Sequence, residues 1–173
     1  LSRASRRIIA SNKRSFNVTT VATSKIEPRV LIVGSGTTGR ELLRRLVDIW
    51  RVSIVDTDEK QLRLVDDTID STRVLQIAGD GTSRLILRQA GIEHVDYIIA
   101  VTGSDDVNLE VCRLARDDFE KTNLFAAVVN FSERDRYRDE GIDFVTPSYA
   151  AAVALENRIL HGVGTSLSTG EGR

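Results

Sequence analysis

A short apolar run that leads directly into three spaced glycines is the feature that most constrains how this chain can fold. The run covers residues 30–33, and Gly34, Gly36 and Gly39 follow it at G-x-G-x-x-G spacing before an amphipathic segment at residues 42–47. At this spacing the first glycine permits a sharp turn, the second leaves room for a phosphate, and the third lets a helix pack closely on the strand. The pattern therefore predicts a strand, a tight turn and a helix whose free N–H groups face an anion.

A carboxylate follows this unit at a distance that suits a nucleotide. Residues 51–55 are typical of a second strand, which ends at Asp56. Asp56 lies about 20 positions after Gly36, as expected of an acid that accepts hydrogen bonds from ribose hydroxyls. The alternative is that Asp56 only caps the turn before a helix that begins near Asp58. The strand–helix–strand context favours the nucleotide interpretation.

Composition and charge narrow the class of protein. The 173 residues suit one domain, and a hydrophobic content of 41% is enough for a core. Basic residues dominate positions 1–25, so the remainder is net acidic, which argues against a nucleic-acid-binding protein. The single Cys112 excludes an internal disulfide and is interpreted as a core residue of a helix. No uncharged run reaches the roughly 18 residues of a membrane helix, so no transmembrane segment is expected.

Strand and helix patterns alternate along the chain. Strands are predicted at residues 30–33, 51–55, 73–78, 95–101, 124–129 and 142–145. The first helix is predicted after the glycine turn, the second at residues 58 to about 69, and the third between the turn at 79–82 and Gly91. The fourth is predicted from residue 104 or 105 to about 117, the fifth at 132–140 and the last at 147–160. This alternation predicts an α/β fold, a Rossmann-like doubly wound parallel sheet of about six strands with helices on both faces.

Three of the predicted helices carry an apolar stripe that is expected to be buried. The stripes are Leu62, Val65 and Ile69 in the second helix, Leu85, Ile86 and Ala90 in the third, and Ala151, Ala152, Leu155 and Ile159 in the last. For the last helix two interpretations remain open, a surface between two chains and ordinary packing within one chain. His161 is expected to end that helix, where a cation suits the dipole.

The turns that follow the strands are expected to meet. Ligands of doubly wound sheets bind at the carboxyl ends of the strands, beside the first strand. That rule brings four turns around one crevice, at residues 34–39, 56–58, 79–82 and 102–104. Asp80 fits either a ligand contact or an ordinary turn residue between two glycines. Asn108 either reaches the crevice or is a solvated helix residue.

The motifs in this order resemble a known family. Residues 30–39 (VLIVGSGTTG), 55–58 (VDTD), 79–82 (GDGT), 87–96 (LRQAGIEHVD), 101–109 (VTGSDDVNL) and 141–147 (GIDFVTP) resemble the TrkA N-terminal domain, also called the RCK or KTN domain. The resemblance implies a non-enzymatic regulatory domain that binds NAD(H) or, as second choice, ATP/ADP. It implies homodimers or rings at the cytoplasmic side of a membrane potassium channel or transporter, peripheral to the inner face of the cell membrane. Binding would change the angle between paired domains and so gate transport.

The resemblance also implies the residues of the site. The phosphates would be cradled by Gly34, Ser35, Gly36, Thr37, Thr38 and Gly39. Asp56 would bind the adenosine ribose, with Thr57 and Asp58 beside it. The adenine side would be formed by Gly79, Asp80 and Gly81, and the distal half of the crevice would be lined by Thr102, Gly103 and Ser104. Many relatives carry Arg where this chain has Thr37, and several carry Arg where it has Asn130. These departures favour a dinucleotide over a triphosphate. Asp56 and Asp58 oppose NADP, whose 2′-phosphate they would repel.

Domain boundaries and chemistry complete the expectations. Residues 1–28 are predicted to be a basic linker or extension, or else a targeting segment, residues 29–161 the nucleotide-binding domain, and residues 162–173 the start of a truncated C-terminal region. The alternative function is a small NAD-dependent oxidoreductase, or the cofactor-binding half of one. The two histidines and the cysteine form no recognisable metal site, and no Tyr-x-x-x-Lys pair is present, so no catalytic residue is predicted.

Overall fold

Six parallel strands form one sheet in a computed structural model that describes residues 27–65 and 72–167, with side chains as far as residue 161. The strands are β1 Arg29–Val33, β2 Arg51–Asp56, β3 Val74–Ala78, β4 Tyr97–Ala100, β5 Leu124–Ala127 and β6 Asp143–Val145. Their order across the sheet is β3-β2-β1-β4-β5-β6, with every neighbouring pair parallel. The doubly wound fold predicted from the sequence is confirmed. The chain reverses its direction of winding between β1 and β4, where a crevice must open.

Helices cover both faces of this sheet. They are α1 Thr37–Leu46, α2 Glu59–Leu62, α3 Arg84–Gln89, α4 Asp105–Phe119, α5 Arg134–Asp139 and α6 Pro147–Leu167. Short 3-10 turns at Ile92–His94 and Phe131–Glu133 precede β4 and α5. No helix in the described part of the chain is long and apolar enough to cross a lipid bilayer.

The apolar run of β1 is buried from both sides. Val30 and Ile32 belong to the core under α1 and α2, whereas Leu31 and Val33 belong to the core under α3 and α4. Each is at most 2% exposed, and burying such a side chain fully contributes about 1.5–3 kcal/mol. A strand without alternation in its sequence is therefore the central strand of a sheet covered on both faces.

Three helices, α2, α3 and α6, differ from the sequence patterns. Helix α2 ends at Leu62 and a turn follows, so the prediction of a helix to about Ile69 is wrong for its described part. Leu62 and Val65 are buried as expected, whereas Ile69 lies outside the described residues.

Helix α3 is rotated relative to its predicted stripe. Leu85 is 65% exposed, whereas Leu87 is fully buried and Ala90 is buried as well. The sequence run Leu85–Leu87 is apolar throughout, so its periodicity does not choose a face. Leu87 and Ala90 lie three residues apart and therefore on the same face of the helix. Their packing in the core sets the rotation of α3 about its axis and leaves Leu85 exposed.

Helix α6 departs most from expectation. It continues to Leu167, so neither Leu160 nor His161 ends it, because an interior glycine costs a helix only about 1 kcal/mol. Its apolar residues Ala151, Ala152, Leu155 and Ile159 are exposed, Leu155 at 62% and Ile159 at 63%. Packing among the described residues therefore leaves this stripe uncovered.

Candidate functional site

The turn after β1 depends on glycine at two positions. Gly34 has φ +107°, and a Cβ placed there would lie 2.7 Å from the carbonyl oxygen of Val101. A Cβ at Gly39 would lie 1.8 Å from the carbonyl oxygen of Gly34, because the first turn of α1 packs directly on the loop. A side chain at either position would push α1 away from the sheet.

The amino terminus of α1 carries free amide groups. The N-cap is Gly36, which supplies no side-chain cap, and the first helical bond runs from the Arg40 amide to the Gly36 carbonyl at 3.0 Å. The amides of residues 37–39 therefore have no acceptor within the helix. A Cβ at Gly36 would touch nothing within 4 Å, so the space in front of these amides is open. Such a terminus attracts anions, above all phosphates.

Asp56 is held at the end of β2 by the glycine loop. Its Oδ2 atom accepts hydrogen bonds from the Ser35 amide at 2.6 Å and the Ser35 hydroxyl at 2.8 Å, and its Oδ1 atom accepts from the Asp58 amide at 2.9 Å. Partial burial raises the pKa of Asp56, but hydrogen bonds from Asp58, Ser35 and Thr57 outweigh it, so the pKa lies below its ordinary value. The carboxylate is therefore ionised at neutral pH and oriented towards the crevice.

A cleft of about 440 Å³ opens at the carboxyl ends of β1 to β4. Ten of the residues assigned from the sequence line it: Gly34, Gly36, Asp56, Thr57, Gly79, Asp80, Gly81, Thr102, Gly103 and Ser104. Its volume falls in the range of small-molecule sites, roughly 300–1,000 Å³. All four turns that the sequence pattern grouped together therefore meet at one cleft.

The other assigned residues lie behind the cleft wall or beside it. Ser35 is fully buried beneath Asp56, and Gly39 is buried against Gly34. Thr37 borders a neighbouring depression beside α1, and Thr38 is an exposed residue of the first turn of that helix. The Oδ1 atom of Asp58 accepts from the Lys60 amide at 2.8 Å and caps α2.

Asp80 makes an ordinary turn and also lines the cleft. Its Oδ1 atom accepts hydrogen bonds from the amide of Thr82 at 2.8 Å and from its hydroxyl at 2.7 Å, which makes an ordinary turn. The Thr82 amide and hydroxyl lower the pKa of Asp80, and slight burial opposes them only weakly. Because Asp80 also lines the cleft, it adds a second negative charge beside Asp56.

Asn108 neither reaches the cleft nor lies in solvent. It is fully buried in α4, and its Oδ1 atom accepts from the Thr102 amide at 2.8 Å and the Thr102 hydroxyl at 2.7 Å. Its Nδ2 atom donates to the carbonyl of Ala127 at 2.9 Å. Asn108 thus ties the turn after β4 to the end of β5 and shapes the distal wall of the cleft.

Sequence reasoning missed Arg40 and Gln61. The guanidinium of Arg40 donates from Nη1 to the Ser35 carbonyl at 2.7 Å and to the Gln61 Oε1 atom at 2.7 Å, and Gln61 lines the cleft. A cation in the first turn of a helix is unfavourable because it lies at the positive end of the helix dipole. The position of Arg40 in the first turn of α1 was therefore the signal that the sequence offered. Arg40 thus holds the loop from behind and is not among the residues that line the cleft.

Metal and thiol chemistry have no support in the described residues. No three or more His, Cys, Asp or Glu side chains group there in a way that would hold a metal ion. Cys112 is fully buried in α4, and burial raises the pKa of its thiol to about 12. The interpretation of Cys112 as a core residue is confirmed.

The glycine turn, the uncapped helix and the acid at the end of β2 define a Rossmann-type domain. The family model for the TrkA-N domain matches residues 30–147, and the chain belongs to this family. The resemblance recognised from the sequence motifs is therefore confirmed.

A curated relative extends the comparison beyond the family model. The chain is 32% identical over 132 residues to a Trk system potassium uptake protein TrkA homolog of Methanothermobacter thermautotrophicus, which covers 75% of this chain and 59% of the relative. Other curated relatives are longer, and the match spans as little as 19% of one of them.

Solved structures share the fold. A GsuK channel bound to NAD superposes with a TM-score of 0.67 at 24% identity, over 84% of this chain and 25% of that one. The Kef C-terminal domain of Shewanella denitrificans in its AMP-bound form superposes with a TM-score of 0.64 at 24% identity, over 79% of this chain and 82% of that one.

Proposed function

We propose that this chain is a nucleotide-sensing regulatory domain of a potassium channel or transporter and that it binds NAD(H), with ATP/ADP as second choice. One observation carries the proposal: the uncapped amino terminus of α1 and the ionised Asp56 border the same cleft. A positive helix end and a fixed carboxylate are what a ribose phosphate requires, since one attracts the phosphate and the other accepts from the sugar hydroxyls.

In the proposed complex each turn has its own task. The amides of residues 36–39 bind the phosphates, with Arg40 holding the loop from behind through the Ser35 carbonyl. Asp56 accepts from the adenosine ribose, while Thr57 and Asp58 flank it. Gly79, Asp80 and Gly81 lie on the adenine side, and Thr102, Gly103 and Ser104 line the distal half of the cleft.

Charge favours NAD(H) among the candidate ligands. The carboxylate of Asp56 would repel the 2′-phosphate of NADP, and Asp80 adds a second negative charge to the cleft. The guanidinium of Arg40 is already engaged by Ser35 and Gln61, and no Lys or Arg is among the described residues that line the cleft, which disfavours a triphosphate. Related domains that are bound to NAD and to AMP support a ligand with an adenosine half.

We propose further that two copies of the chain pair through α6. No described residue of the chain covers the exposed stripe of Leu155, Ile159 and Leu160, and Phe125 and Val145 on the open part of the sheet are exposed as well. A dimer or ring would bury these surfaces. Nucleotide binding would then gate transport if one dimer geometry binds the ligand more tightly than another.

The setting of the domain belongs to the same proposal. The partner is a membrane potassium channel or transporter subunit, and the domain lies in the cytoplasm, peripheral to the inner face of the cell membrane. In this proposal residues 29–161 are the nucleotide-binding domain, residues 1–28 a linker or extension and residues 162–173 a C-terminal region. Residues 1–26 and 168–173 lie outside the described part of the chain. The curated potassium uptake relatives support the link to potassium transport.

We propose a regulatory rather than an enzymatic role. The titratable groups that line the cleft are the carboxylates of Asp56 and Asp80, and both are engaged by neighbouring amides and hydroxyls. A hydride-transfer enzyme needs a proton donor or acceptor beside the nicotinamide. Turnover of NADH with a small carbonyl substrate would instead support the alternative, the cofactor-binding half of an oxidoreductase.

Isothermal titration with NADH, NAD, NADPH, ATP and ADP tests the ligand. We expect NADH or NAD to bind most tightly and Asp56→Ala to weaken binding at least about tenfold, because a charge-assisted hydrogen bond to the ribose is lost. Asp139→Ala, an exposed acid at the end of α5, is the matched control and should bind as the parent chain does. Absence of binding to all five nucleotides would contradict the proposal.

Sedimentation velocity tests the assembly. The parent chain should sediment as a dimer or larger species, and Leu155→Glu should sediment as a monomer because it puts a charge into the apolar surface. Glu156→Gln, on the same helix and also exposed, is the control. A parent chain that sediments as a monomer both with and without NADH would contradict the role of α6.

A further inference from the structure

Three arginines stand side by side at the amino ends of β1, β2 and β3. Arg29 and Arg51 are paired in register, and Arg51 and Arg73 precede the next registered pair, Val52 and Val74. Lateral neighbours in a parallel sheet point to the same face, about 4.8 Å apart. Like charges so placed repel one another, and the sheet is destabilised unless negative charge lies between them.

The described residues supply less negative charge than this row requires. Glu27 forms ion pairs with Arg51, at 3.3 Å, and with Arg73. Asp96 accepts from the main-chain amide of Arg29 at 2.8 Å. Within residues 27–65 and 72–161 the guanidinium of Arg29 has no acidic partner. Three guanidinium groups therefore face two carboxylates.

A cavity of about 390 Å³ lies over this row. Its floor includes the three arginines and Ser53, and its opposite wall includes His94 in the turn before β4. The Nε atom of Arg73 is buried and has no hydrogen-bond partner in the described part of the chain. A buried donor without an acceptor is costly, so this atom marks a place where an acceptor is missing.

We propose that this cavity is a second anion site, which binds a phosphate group at the end of the sheet opposite the nucleotide cleft. The guanidinium fork matches two phosphate oxygens at once, and Arg29 is the arginine whose charge is uncompensated. Bound phosphate supplies the acceptor for Arg73 and the charge that Glu27 and Asp96 do not. Glu27 already pairs with Arg51 and Arg73. The anion therefore binds either by displacing the Glu27 carboxylate or by sharing these two arginines with it. The site stands apart from the proposed function and does not depend on it.

Nuclear magnetic resonance with pyrophosphate as the probe locates the site. In the uniformly labelled full chain with NADH present at saturation, pyrophosphate should shift the amide signals of Arg29, Arg51 and Ser53. Arg29→Gln should raise the dissociation constant about tenfold, as loss of one charge-assisted contact implies. Arg45→Gln, an exposed arginine of α1 that pairs with Glu41, is the matched control and should leave it unchanged. Shifts confined to residues 34–39, or equal weakening by both substitutions, would overturn the proposal.

Glu27→Gln gives a change of the opposite sign. Removing the competing carboxylate should tighten pyrophosphate binding by about threefold to tenfold, whereas a purely structural arginine row would not respond in this way. The amide spectrum shows whether the variant is folded. A folded Glu27→Gln variant that binds pyrophosphate no more tightly than the parent chain would overturn the proposed competition. If this variant does not fold, the comparison of Arg29→Gln with Arg45→Gln tests the site instead.

Vesicle binding separates two sources of the phosphate. Pyrophosphate binding without cosedimentation on phosphatidylglycerol vesicles supports a soluble phosphate ligand. Cosedimentation that Arg29→Gln abolishes, and that phosphatidylcholine vesicles do not show, supports a lipid headgroup. Failure of both pyrophosphate and phosphatidylglycerol to bind overturns the phosphate site.

Discussion

The two ends of strands β1 to β3 attract negative charge by different means. At the carboxyl end the attraction comes from main-chain amides at the start of α1, in a geometry that Gly34 and Gly39 make possible. At the amino end it comes from the side chains of Arg29, Arg51 and Arg73. An arrangement built from the backbone is part of the fold, so damage to it also costs stability. An arrangement built from side chains, of which Arg29 and Arg51 are exposed, is more separable from the fold, so these two can change with little effect on stability.

The largest expected effect is at the carboxyl end. Gly39→Ala should lower the free energy of unfolding by about 3 kcal/mol or more, because the new Cβ would overlap the Gly34 carbonyl and α1 would have to move. Gly36→Ala is the matched control, since its Cβ meets nothing within 4 Å. It should cost less than about 1 kcal/mol and weaken nucleotide binding by filling the open space. Urea unfolding measures both, and equal losses of stability would contradict the packing argument.

A smaller loss is expected from the buried amide that shapes the distal wall. Asn108→Ala should destabilise the chain by about 2–3 kcal/mol, because the amide of Thr102 and the carbonyl of Ala127 lose their partner away from water. Asn157→Ala, on the exposed surface of α6, should change stability by less than about 0.5 kcal/mol. Thermal melts of the two variants should differ clearly, and indistinguishable melting temperatures would mean that water replaces the Asn108 contacts.

Acid should weaken the carboxyl end through Asp56. Its pKa is lower in the folded chain than the ordinary value of about 3.9, so its stabilising contribution is complete above that value and disappears as the pH falls through the folded-state pKa. The parent chain should therefore lose more stability than Asp56→Asn between neutral pH and roughly pH 3. Urea midpoints across this range measure the difference. Parallel pH profiles would show that Ser35 and Asp58 do not favour the ionised form.

The smallest effect is expected at the amino end. Arg29→Gln should change the free energy of unfolding by less than about 0.5 kcal/mol, with any change stabilising, because it removes one of three like charges from an exposed position. The measurement is urea unfolding at low ionic strength, where charge repulsion is least screened. A loss of more than about 1 kcal/mol would remove the contrast between the two ends.

Much of the carboxyl end could be predicted from the sequence. The spacing of Gly34, Gly36 and Gly39 and the position of Asp56 identify the turn, the helix and the acid, since each depends on residues close in the chain. Ten assigned residues line one cleft because parallel strands carry their turns to the same edge. The burial of Ser35 and the contacts of Arg40 could not be predicted, because both depend on how the loop folds back on β2 and α2.

Local patterns in the sequence were enough to predict a doubly wound α/β domain with a glycine turn beside an acid, because hydrophobic periodicity and glycine geometry act over a few residues. The three-dimensional packing was needed to show that Leu87 rather than Leu85 faces the core, that Asn108 is buried and that no described residue covers the stripe of α6. It alone placed Arg29, Arg51 and Arg73 in one row. Strand register and helix rotation follow from the packing of distant segments, and no local pattern in the sequence encodes them.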